Sequence, residues 1–375
     1  MTIKNLLFAI VLNFLCLLTP KDIKSQIDTV SITSLGLKGN VKKITEFNFF
    51  AIDSLGKIVS GDFIKAGLGD HEWKFKSEED AYKLKKSNIT YEFDNKGNLL
   101  TEISYYSRRT PNETTKYLYQ NGLITEYNTK MDFSDAVIKI KVLCKYDSNK
   151  NLISKTSYRN DELYGKEIFK YDLNNNIIEI NEIDEQGNVT IAELNKYEKN
   201  KLVYRKKNYS SSSSESHYEY DSLGNEIFTS TLYKSEGDED IQFIEKSLFE
   251  QGVIKRINYL RNGELSGIET YEFSDGKIQT ETYYSEKYPQ NNSIIEYKYF
   301  PDNSKEILIK DKEGEILKEF DKNENLVRLK IINTDGKIED YTYEYSYDGK
   351  GNWIKIIEFR NTIPIKIRTR EIHYL

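Results

Sequence analysis

The sequence predicts an all-β protein, an antiparallel up-and-down meander of hairpins that return about every 25 residues. The repeat is fullest in three segments, Tyr91–Asn98, Tyr218–Asn225 and Tyr345–Asn352, each of which reads aromatic, any residue, aromatic, Asp, then a Gly/Asn turn. Weaker copies in the same phase fill the intervals between them. Composition agrees, because the chain carries 29 Tyr and 17 Phe but only 5 Pro in 375 residues. A regular array of this kind can extend as one body, since each hairpin needs only its neighbours.

Each part of the repeat has a physical role. Aromatic residues two apart lie on one face of a strand, which we call the aromatic face, and the residue between them lies on the other. The Asp at the end of the strand caps the reversal, and Gly or Asn takes the left-handed conformation that a tight hairpin requires. The structural turn residues predicted in this way are Asp94, Gly97, Asp147, Asp172, Asp221, Gly224, Asp321, Asp348 and Gly351.

A second reversal follows about 12 residues after each tight turn, giving about eleven hairpins and roughly 22 strands. Successive turns then lie at opposite ends of the strands. We call the two ends the tight-turn edge and the loop edge. The loop edge carries varied sequences, such as the serine run 210–214, 235–238 and 289–292. Binding variation is most easily placed there.

A sheet with one aromatic face must hide that face, so the meander is expected to curl or spiral until aromatic faces meet. A β-propeller is the alternative, although its four-stranded blades would make the repeat alternate, and the tight turns do not. Residues 77–86 begin with a capping Ser followed by acids and end in lysines, which predicts one short helix near the N-terminus.

The first 26 residues predict a cleaved secretory signal, because Lys4 precedes an apolar run from Leu6 to Leu18 that is short for a bilayer span. A lipid anchor on Cys16 is the rival interpretation. The expected organisation is a signal peptide at 1–26, N-terminal strands and a capping helix at 27–90, and the repeat array at 91–375. We therefore expect a periplasmic or secreted protein with no membrane span after signal removal. Cys144 would then be the one remaining cysteine, buried in the core.

The sequence offers little chemistry. His71, His217 and His373 are far apart and match no metal-ligand spacing. Phosphate loops, nucleophile elbows and Cys-x-x-Cys motifs are missing from the sequence. A net charge of −6 with both signs interleaved gives no basic stripe for nucleic acid. We therefore predict no catalytic residue, metal or cofactor; a hydrolase using paired turn carboxylates is the enzymatic alternative.

Two tyrosine pairs are the candidate ligand-binding residues: Tyr105 with Tyr106, and Tyr283 with Tyr284. Adjacent strand residues point to opposite faces, so one tyrosine of each pair is expected to be exposed near the loop edge. Exposed aromatic rings can stack on sugars or anchor a protein partner.

The Tyr-x-Tyr-Asp-x-x-Gly-Asn units, over roughly residues 90–360, resemble the YD repeats of Rhs-like exported bacterial proteins, and the residue usage resembles that of Bacteroidota. The resemblance implies a long hairpin sheet that spirals into a shell, sometimes around a toxin domain. This chain has fewer repeats and ends in the strand 363–370 with no toxin-like segment, so the toxin function does not carry over. The expected function is an exported, non-enzymatic β-repeat scaffold that binds a protein or cell-envelope component through its loop edge. A carbohydrate-binding module using exposed tyrosines is the alternative.

Overall fold

The structure is a computed structural model that describes residues 29–64, 88–108, 110–133 and 136–375. Strands dominate these residues, and the one helical element among them is a 3-10 turn at Pro289–Asn291. The all-β prediction is confirmed. The predicted signal peptide at 1–26 and the predicted helix at 77–86 lie outside the described residues. Within the described ranges, no helix combines the length and apolar character needed to cross a membrane.

The strands, numbered in chain order, are as follows. The first group is β1 Val41–Ser54, β2 Lys57–Phe63, β3 Ile89–Phe93, β4 Leu99–Ser107, β5 Thr110–Gln120, β6 Leu123–Asp132, β7 Val137–Tyr146, β8 Leu152–Arg159, β9 Glu162–Tyr171, β10 Ile177–Ile183, β11 Val189–Glu198 and β12 Lys201–Asn208. The second group is β13 Ser212–Tyr220, β14 Glu226–Ser235, β15 Ile241–Glu250, β16 Val253–Arg261, β17 Glu264–Ser274, β18 Lys277–Tyr284, β19 Ser293–Tyr299, β20 Lys305–Asp311, β21 Gly314–Phe320, β22 Leu326–Asn333, β23 Ile338–Tyr347, β24 Trp353–Arg360 and β25 Ile363–Tyr374.

The described residues form two compact units. The central unit contains 168–182 and 189–339, and the terminal unit contains the described residues up to 167, with 183–188 and 340–375. In the central unit, consecutive strands pair antiparallel from β11 to β22 without a break. The propeller alternative is therefore wrong for this unit, because blades would interrupt the series every four strands.

The expected curled or spiralled meander is wrong, because the sheet is closed by a pairing between its first and last strands. In the terminal unit β1 pairs antiparallel with β25 from Val41↔Tyr374 to Phe50↔Lys366, and its opposite edge pairs with β2 and β3. The first and last strands are thus hydrogen-bonded neighbours, and the sheet is closed by this seam. Closure removes the unpaired strand edges that an open sheet would present.

The seam between β1 and β25 is held by polar and apolar contacts. Arg370 donates from Nε to Glu46 Oε1 at 2.9 Å, and its guanidinium lies 3.6 Å from the ring centroid of Trp353. On the apolar side, Leu37, Val41 and Ile44 belong to the buried cluster that includes Tyr91, Phe93 and Leu99. The segment before β1 is tied to the last tight turn, since Lys38 N donates to Asn352 Oδ1 at 2.7 Å and Asn352 Nδ2 donates to the Lys38 carbonyl at 2.9 Å.

The tight turns share one hydrogen-bond pattern, seen clearly at Asp221. Its backbone N–H donates to the Asn225 carbonyl at 2.9 Å, its Oδ1 accepts the Asn225 N–H at 2.9 Å, and its Oδ2 accepts the Asn225 side-chain amide at 2.8 Å. The residue before the Asn has a positive φ, 98° at Gly224. The same pattern recurs at the turns that begin with Asp94, Asp147, Asp172, Asp184 and Asp321. At Asp348 the two bonds with the Asn352 backbone recur, whereas the Asn352 side-chain amide donates to the Lys38 carbonyl and the Tyr374 hydroxyl. Among these, Asp184 lies at the loop edge, where the sequence pointed to variable loops.

A register shift accompanies the aromatic residue before several of these tight turns, for example between Glu92 and Phe93 and between Glu219 and Tyr220. Such bulges interrupt the ladder locally and leave backbone groups that need other partners. The tyrosine of the next hairpin supplies one. Three hydroxyls donate at 2.9 Å to the carbonyl of the first or second residue of a strand in the preceding hairpin: Tyr119 to Leu99, Tyr146 to Ile124, and Tyr220 to Leu202.

Two buried asparagines join β2 and β3 along the edge of β1. Asn88 Oδ1 accepts the backbone N–H of Asn48 at 2.8 Å, and Asn88 Nδ2 donates to the Ile64 carbonyl at 2.8 Å. The Asn88 carbonyl also accepts the Tyr105 N–H at 3.0 Å. Asn88 is 0% exposed and has a φ of 72°, a conformation that Asn tolerates better than most residues. One side chain therefore satisfies backbone groups from two separate strands.

Replacing Asn88 with Ala should lower the free energy of unfolding by about 2–4 kcal/mol, because it leaves the Asn48 N–H and the Ile64 carbonyl buried without partners. Urea denaturation of the full chain measures this. Asn174→Ala, at an exposed turn position, is the control and should change stability far less. Equal stability of Asn88→Ala and the unmodified protein would contradict this role.

The tight turns should make the protein sensitive to acid. The side-chain amide of Asn225, with neighbouring backbone N–H groups, lowers the pKa of Asp221, and the Asn188 amide does the same for Asp184. A folded-state pKa below the unfolded one gives stability that is present above about pH 4 and is lost as pH falls through the folded value. Stability measured from pH 6 to pH 2 should decline less steeply in Asp221→Ala, whereas Asp240→Ala in an exposed loop should match the parent slope. Identical slopes in all three proteins would refute the link.

Candidate binding surface at the loop edge

Two kinds of connection form the loop edge. Several are two-residue reversals with positive φ at both positions, such as Asn160-Asp161 at 51° and 70° and Asn262-Gly263 at 51° and 82°. The connection between β18 and β19 is much longer, covering 285–292 and containing the 3-10 turn. A long loop can be rigid or flexible, so its contacts with the rest of the unit must be considered.

The loop 285–292 is anchored by a buried serine. Ser285 is 2% exposed, and its hydroxyl donates to the Ser266 carbonyl on β17 and accepts the Tyr288 N–H at 3.0 Å. Its backbone N–H donates to Asn292 Oδ1 at 2.6 Å, which closes the base of the loop. Lys287 forms an exposed ion pair with Glu264 at 2.7 Å. The loop is therefore pre-organised, and little further ordering entropy is lost when it binds a partner.

Tyr283 and Tyr284 point to opposite faces of β18, as their adjacency predicts. Tyr283 lies on the aromatic face, with its ring centroid 6.1 Å from that of Tyr259. Its hydroxyl lies where a side chain on Gly267 would have to go, 2.3 Å from the position of a Cβ there. Tyr284 is 54% exposed on the other face. Of this pair, Tyr284 is the residue available to a partner.

The other predicted pair divides in the same way. Tyr105 packs edge-on against Phe47, with ring centroids 5.3 Å apart, and its hydroxyl lies 3.2 Å from Thr90 Oγ1. Tyr106 is 51% exposed near the end of β4. Tyr105 therefore has a packing role, and Tyr106 is the exposed member. Tyr105 and Tyr106 belong to the terminal unit, and Tyr283 and Tyr284 to the central unit.

Tyr284 lies beside exposed apolar neighbours. Strand register places Ile268 opposite Tyr284, Leu265 opposite Leu260, and Ile294 opposite Thr282 on the next strand. Leu265 is 52% exposed and Ile294 is 39% exposed. We call Leu260, Leu265, Ile268, Tyr284 and Ile294 the Tyr284 patch. The sequence suggested the tyrosine, but its aliphatic neighbours come together only through the pairing of β16 to β19.

Exposed large apolar side chains recur at the loop edge of each unit. In the terminal unit they are Phe50, Ile52, Leu55, Tyr106, Phe133, Val137, Leu163, Tyr164 and Ile363. In the central unit they are Val189, Ile191, Tyr209, Tyr233, Leu265, Tyr284, Ile294 and Ile338. Exposed apolar residues also occur at the tight-turn edge. Leu173 and Leu223 lie in turns, and the strand ends beside the turns expose Leu100, Leu118, Ile153, Leu248, Val253, Tyr347 and Ile354. Single exposed apolar residues are ordinary, whereas contiguous ones mark contact surfaces.

Sequence reasoning missed a row of carboxylates on the aromatic face of the central unit: Glu226, Glu245, Glu269 and Glu281. Burial raises the pKa of Glu245 to about 7, and burial also raises the pKa of Glu226 and Glu281. A usable signal was present, since Glu269 is two residues before Tyr271 and four before Phe273, in phase with the aromatic face. These glutamates lie on strands. The carboxyl groups with raised pKa values are therefore different from the turn carboxylates that the enzymatic alternative would use.

The described histidines each contact a nearby side chain. His217 lies against Tyr204, with ring centroids 5.1 Å apart, and His373 pairs with Glu371 at 2.9 Å. His71 lies outside the described residues. Cys144 is buried and unbridged, and burial raises the pKa of its thiol to about 11, which makes it a poor nucleophile. Over the part of the chain that the structure covers, no group of three or more His, Cys, Asp or Glu side chains could hold a metal ion.

Comparison with known proteins matches part of the chain to one family model. A family model described only as an uncharacterised protein matches residues 74–190. No curated protein matches. Among solved structures, the TcdB2-TccC3-TEV crystal structure and the Photorhabdus luminescens Tc holotoxin pore each show 12% identity, with TM-scores of 0.28 and 0.27. Both matches cover 85% of this chain, which spans 22% of the length of either protein.

A porin-like protein from Bacteroides uniformis is also similar, at 14% identity and a TM-score of 0.18, covering 66% of this chain and 96% of the other. These scores carry no argument about fold or function. The resemblance to YD-repeat proteins stays a prediction from the sequence.

Ser285→Ala should loosen the loop 285–292, because it removes the hydroxyl that joins Ser266 to Tyr288. We expect a loss of about 1–3 kcal/mol in unfolding free energy and faster tryptic cleavage after Lys287. Ser210→Ala, in an exposed loop of the same unit, is the matched control and should leave both measurements unchanged. Unaltered cleavage after Lys287 in Ser285→Ala would show that the loop is held by other contacts.

Proposed function

We propose that this protein is an exported, non-enzymatic β scaffold that binds a protein or cell-envelope component through its loop edge. The observation that carries the proposal is the set of exposed apolar side chains at that edge, with the Tyr284 patch beside a pre-organised loop. Large aromatic and aliphatic side chains held on a rigid support are the usual anchors of binding surfaces. Export rests on the predicted signal sequence at 1–26.

Two features favour binding over catalysis. His217 and His373 each have a local contact of their own, and the thiol of Cys144 is buried with a raised pKa. The most perturbed carboxylates lie among tyrosines on the aromatic face of the central unit, away from the exposed Tyr284 patch. A surface of exposed tyrosine and aliphatic groups supplies contact area, and contact area supports recognition.

A carbohydrate-binding module is the second candidate, and the exposure of Tyr106 and Tyr284 is the observation that favours it. Sugar sites combine an aromatic platform with polar groups that hydrogen-bond the hydroxyls. Around Tyr284 the neighbours on the same face are mainly aliphatic, which favours an apolar protein surface over a glycan.

The test is binding of the purified mature chain, from about Ile27 onward, to envelope proteins and to a panel of glycans and cell-wall polymers. Combined replacement of Leu265, Tyr284 and Ile294 with Ala should weaken binding to the envelope protein that the unmodified chain binds. The loss should be at least tenfold, because anchors that become buried on binding each contribute about 1–2 kcal/mol or more. Leu173→Ala with Leu223→Ala removes comparable exposed apolar area at the tight-turn edge and should leave affinity unchanged.

The outcomes separate the two candidates. Saturable glycan binding that is lost in Tyr106→Ala or Tyr284→Ala would replace the scaffold proposal with the carbohydrate module. Equal affinity of the triple variant and the control variant would overturn the assignment of the loop edge as the binding surface.

A further inference from the structure

The glutamate row, defined as Glu226, Glu245, Glu269 and Glu281, spans β14 to β18 in the central unit. Register sets the order: Glu245 is opposite Thr229 on β14 and opposite Tyr259 on β16. Glu269 is in turn opposite Ile257 on β16 and Tyr283 on β18. The carboxylates therefore lie on one face of successive strands, separated by hydroxyl-bearing side chains.

Three members of the row have hydroxyl donors. Tyr259 donates to Glu269 Oε2 at 2.6 Å, Tyr297 donates to Glu281 Oε1 at 2.8 Å, and Thr229 donates to Glu226 Oε1. Glu245 lies directly opposite Thr229, which contacts Glu226, and directly opposite Tyr259, which contacts Glu269. Both neighbouring carboxylates disfavour a charge on Glu245. The row is thus a chain of carboxyl and hydroxyl groups across several strands.

Charged and titratable groups share the aromatic face with Glu245, both on its neighbouring strands β14 and β16 and on the strands beyond them. They are Arg205 on β12, Tyr218 on β13, Glu226 and Tyr233 on β14, Tyr259 and Arg261 on β16, and Glu269 on β17. Arg205 lies 3.3 Å from Glu193, and the Arg261 guanidinium lies 5.7 Å from the Phe243 ring centroid. The charge of Arg205 is therefore paired with Glu193. The carboxyl groups of the row outnumber the cations near them.

We propose that the glutamate row is a proton-linked switch: it holds a proton on the acid side of neutral pH, and losing that proton weakens the packing of β14 to β18. A carboxyl group held near other carboxyl groups in a poorly hydrated environment is costly to ionise, so a proton is retained there. Removing it leaves repelling charges between strands that are otherwise well paired. The effect is confined to the central unit, where the row lies.

The direction of the pH dependence follows from burial. Burial raises the pKa of Glu245 to about 7, above the value near 4.3 of an unfolded glutamate. The folded protein thus holds a proton that the unfolded chain has released, so stability is fully present below about pH 4.3 and declines as pH rises to about 7. Above that range both states are ionised and the dependence flattens.

Glu245→Gln tests the switch, because the amide keeps the shape and cannot ionise. Urea denaturation at pH 5, 6, 7 and 8 should show the unfolding equilibrium constant of the parent rising by about tenfold or more over this range relative to the variant. Glu219→Gln, an exposed residue on the opposite face of β13, is the matched control and should follow the parent.

A direct measurement keeps the proposal falsifiable if Glu245→Gln folds poorly. Carbon-13 titration of the glutamate carboxyls in the folded parent should reveal a group that ionises near neutral pH, and Glu226→Gln should shift that titration downward. Parallel stability profiles of the parent and Glu245→Gln, or carboxyls that all ionise below pH 5, would overturn the proposal. Neither readout involves a partner, so failure here is independent of the proposed binding function.

Discussion

The array depends on the hydrogen bonds that join each hairpin to the next. A bulge precedes the tight turns, and a bulge disturbs the ladder that would otherwise satisfy the backbone. The hydroxyl of a tyrosine in the following hairpin donates to a carbonyl at this point, as Tyr119 does to Leu99 and Tyr220 does to Leu202. Lysines add to the contact: Lys201 lies 4.8 Å from the Tyr220 ring centroid. Tyrosine recurs because the ring fills the aromatic face while its hydroxyl satisfies the backbone of a neighbour.

Closure between β1 and β25 removes the unpaired strand edges that a long sheet would otherwise expose. A long antiparallel sheet with two free ends presents unpaired N–H and C=O groups to other chains. Here the first strand pairs on both edges, and the ion pair between Arg370 and Glu46 lies against Trp353 at the seam. Asn48 and Asn88 complete the join where β2 and β3 share one edge. The seam therefore joins residues that precede the repeat, such as Glu46 and Asn48, to residues at and beyond its end, such as Trp353 and Arg370.

The two edges of the sheet differ in chemistry, and so do its two faces. Tight turns built on Asp and Asn fix the strands at one edge, and the other edge is left to vary and to expose apolar side chains. On the aromatic face, a stretch of the central unit replaces hydrocarbon with carboxyl and hydroxyl groups. That substitution costs packing energy and adds a dependence on protons, because ionisation next to like charges is unfavourable. The Tyr284 patch, proposed to bind a partner, and the glutamate row thus occupy different faces of the same unit.

The sequence by itself determined the strands, the turn chemistry at residues such as Asp221 and Gly224, and the exposure of one tyrosine in each adjacent pair. Those features depend on neighbours within a few residues, where strand periodicity and turn preferences act directly. Tertiary structure decided that β1 meets β25, that Leu265 and Ile294 flank Tyr284, and that Glu245 lies between Glu226 and Glu269. These contacts join residues on different strands, and register between strands is fixed by the whole ladder, so no local pattern encodes it.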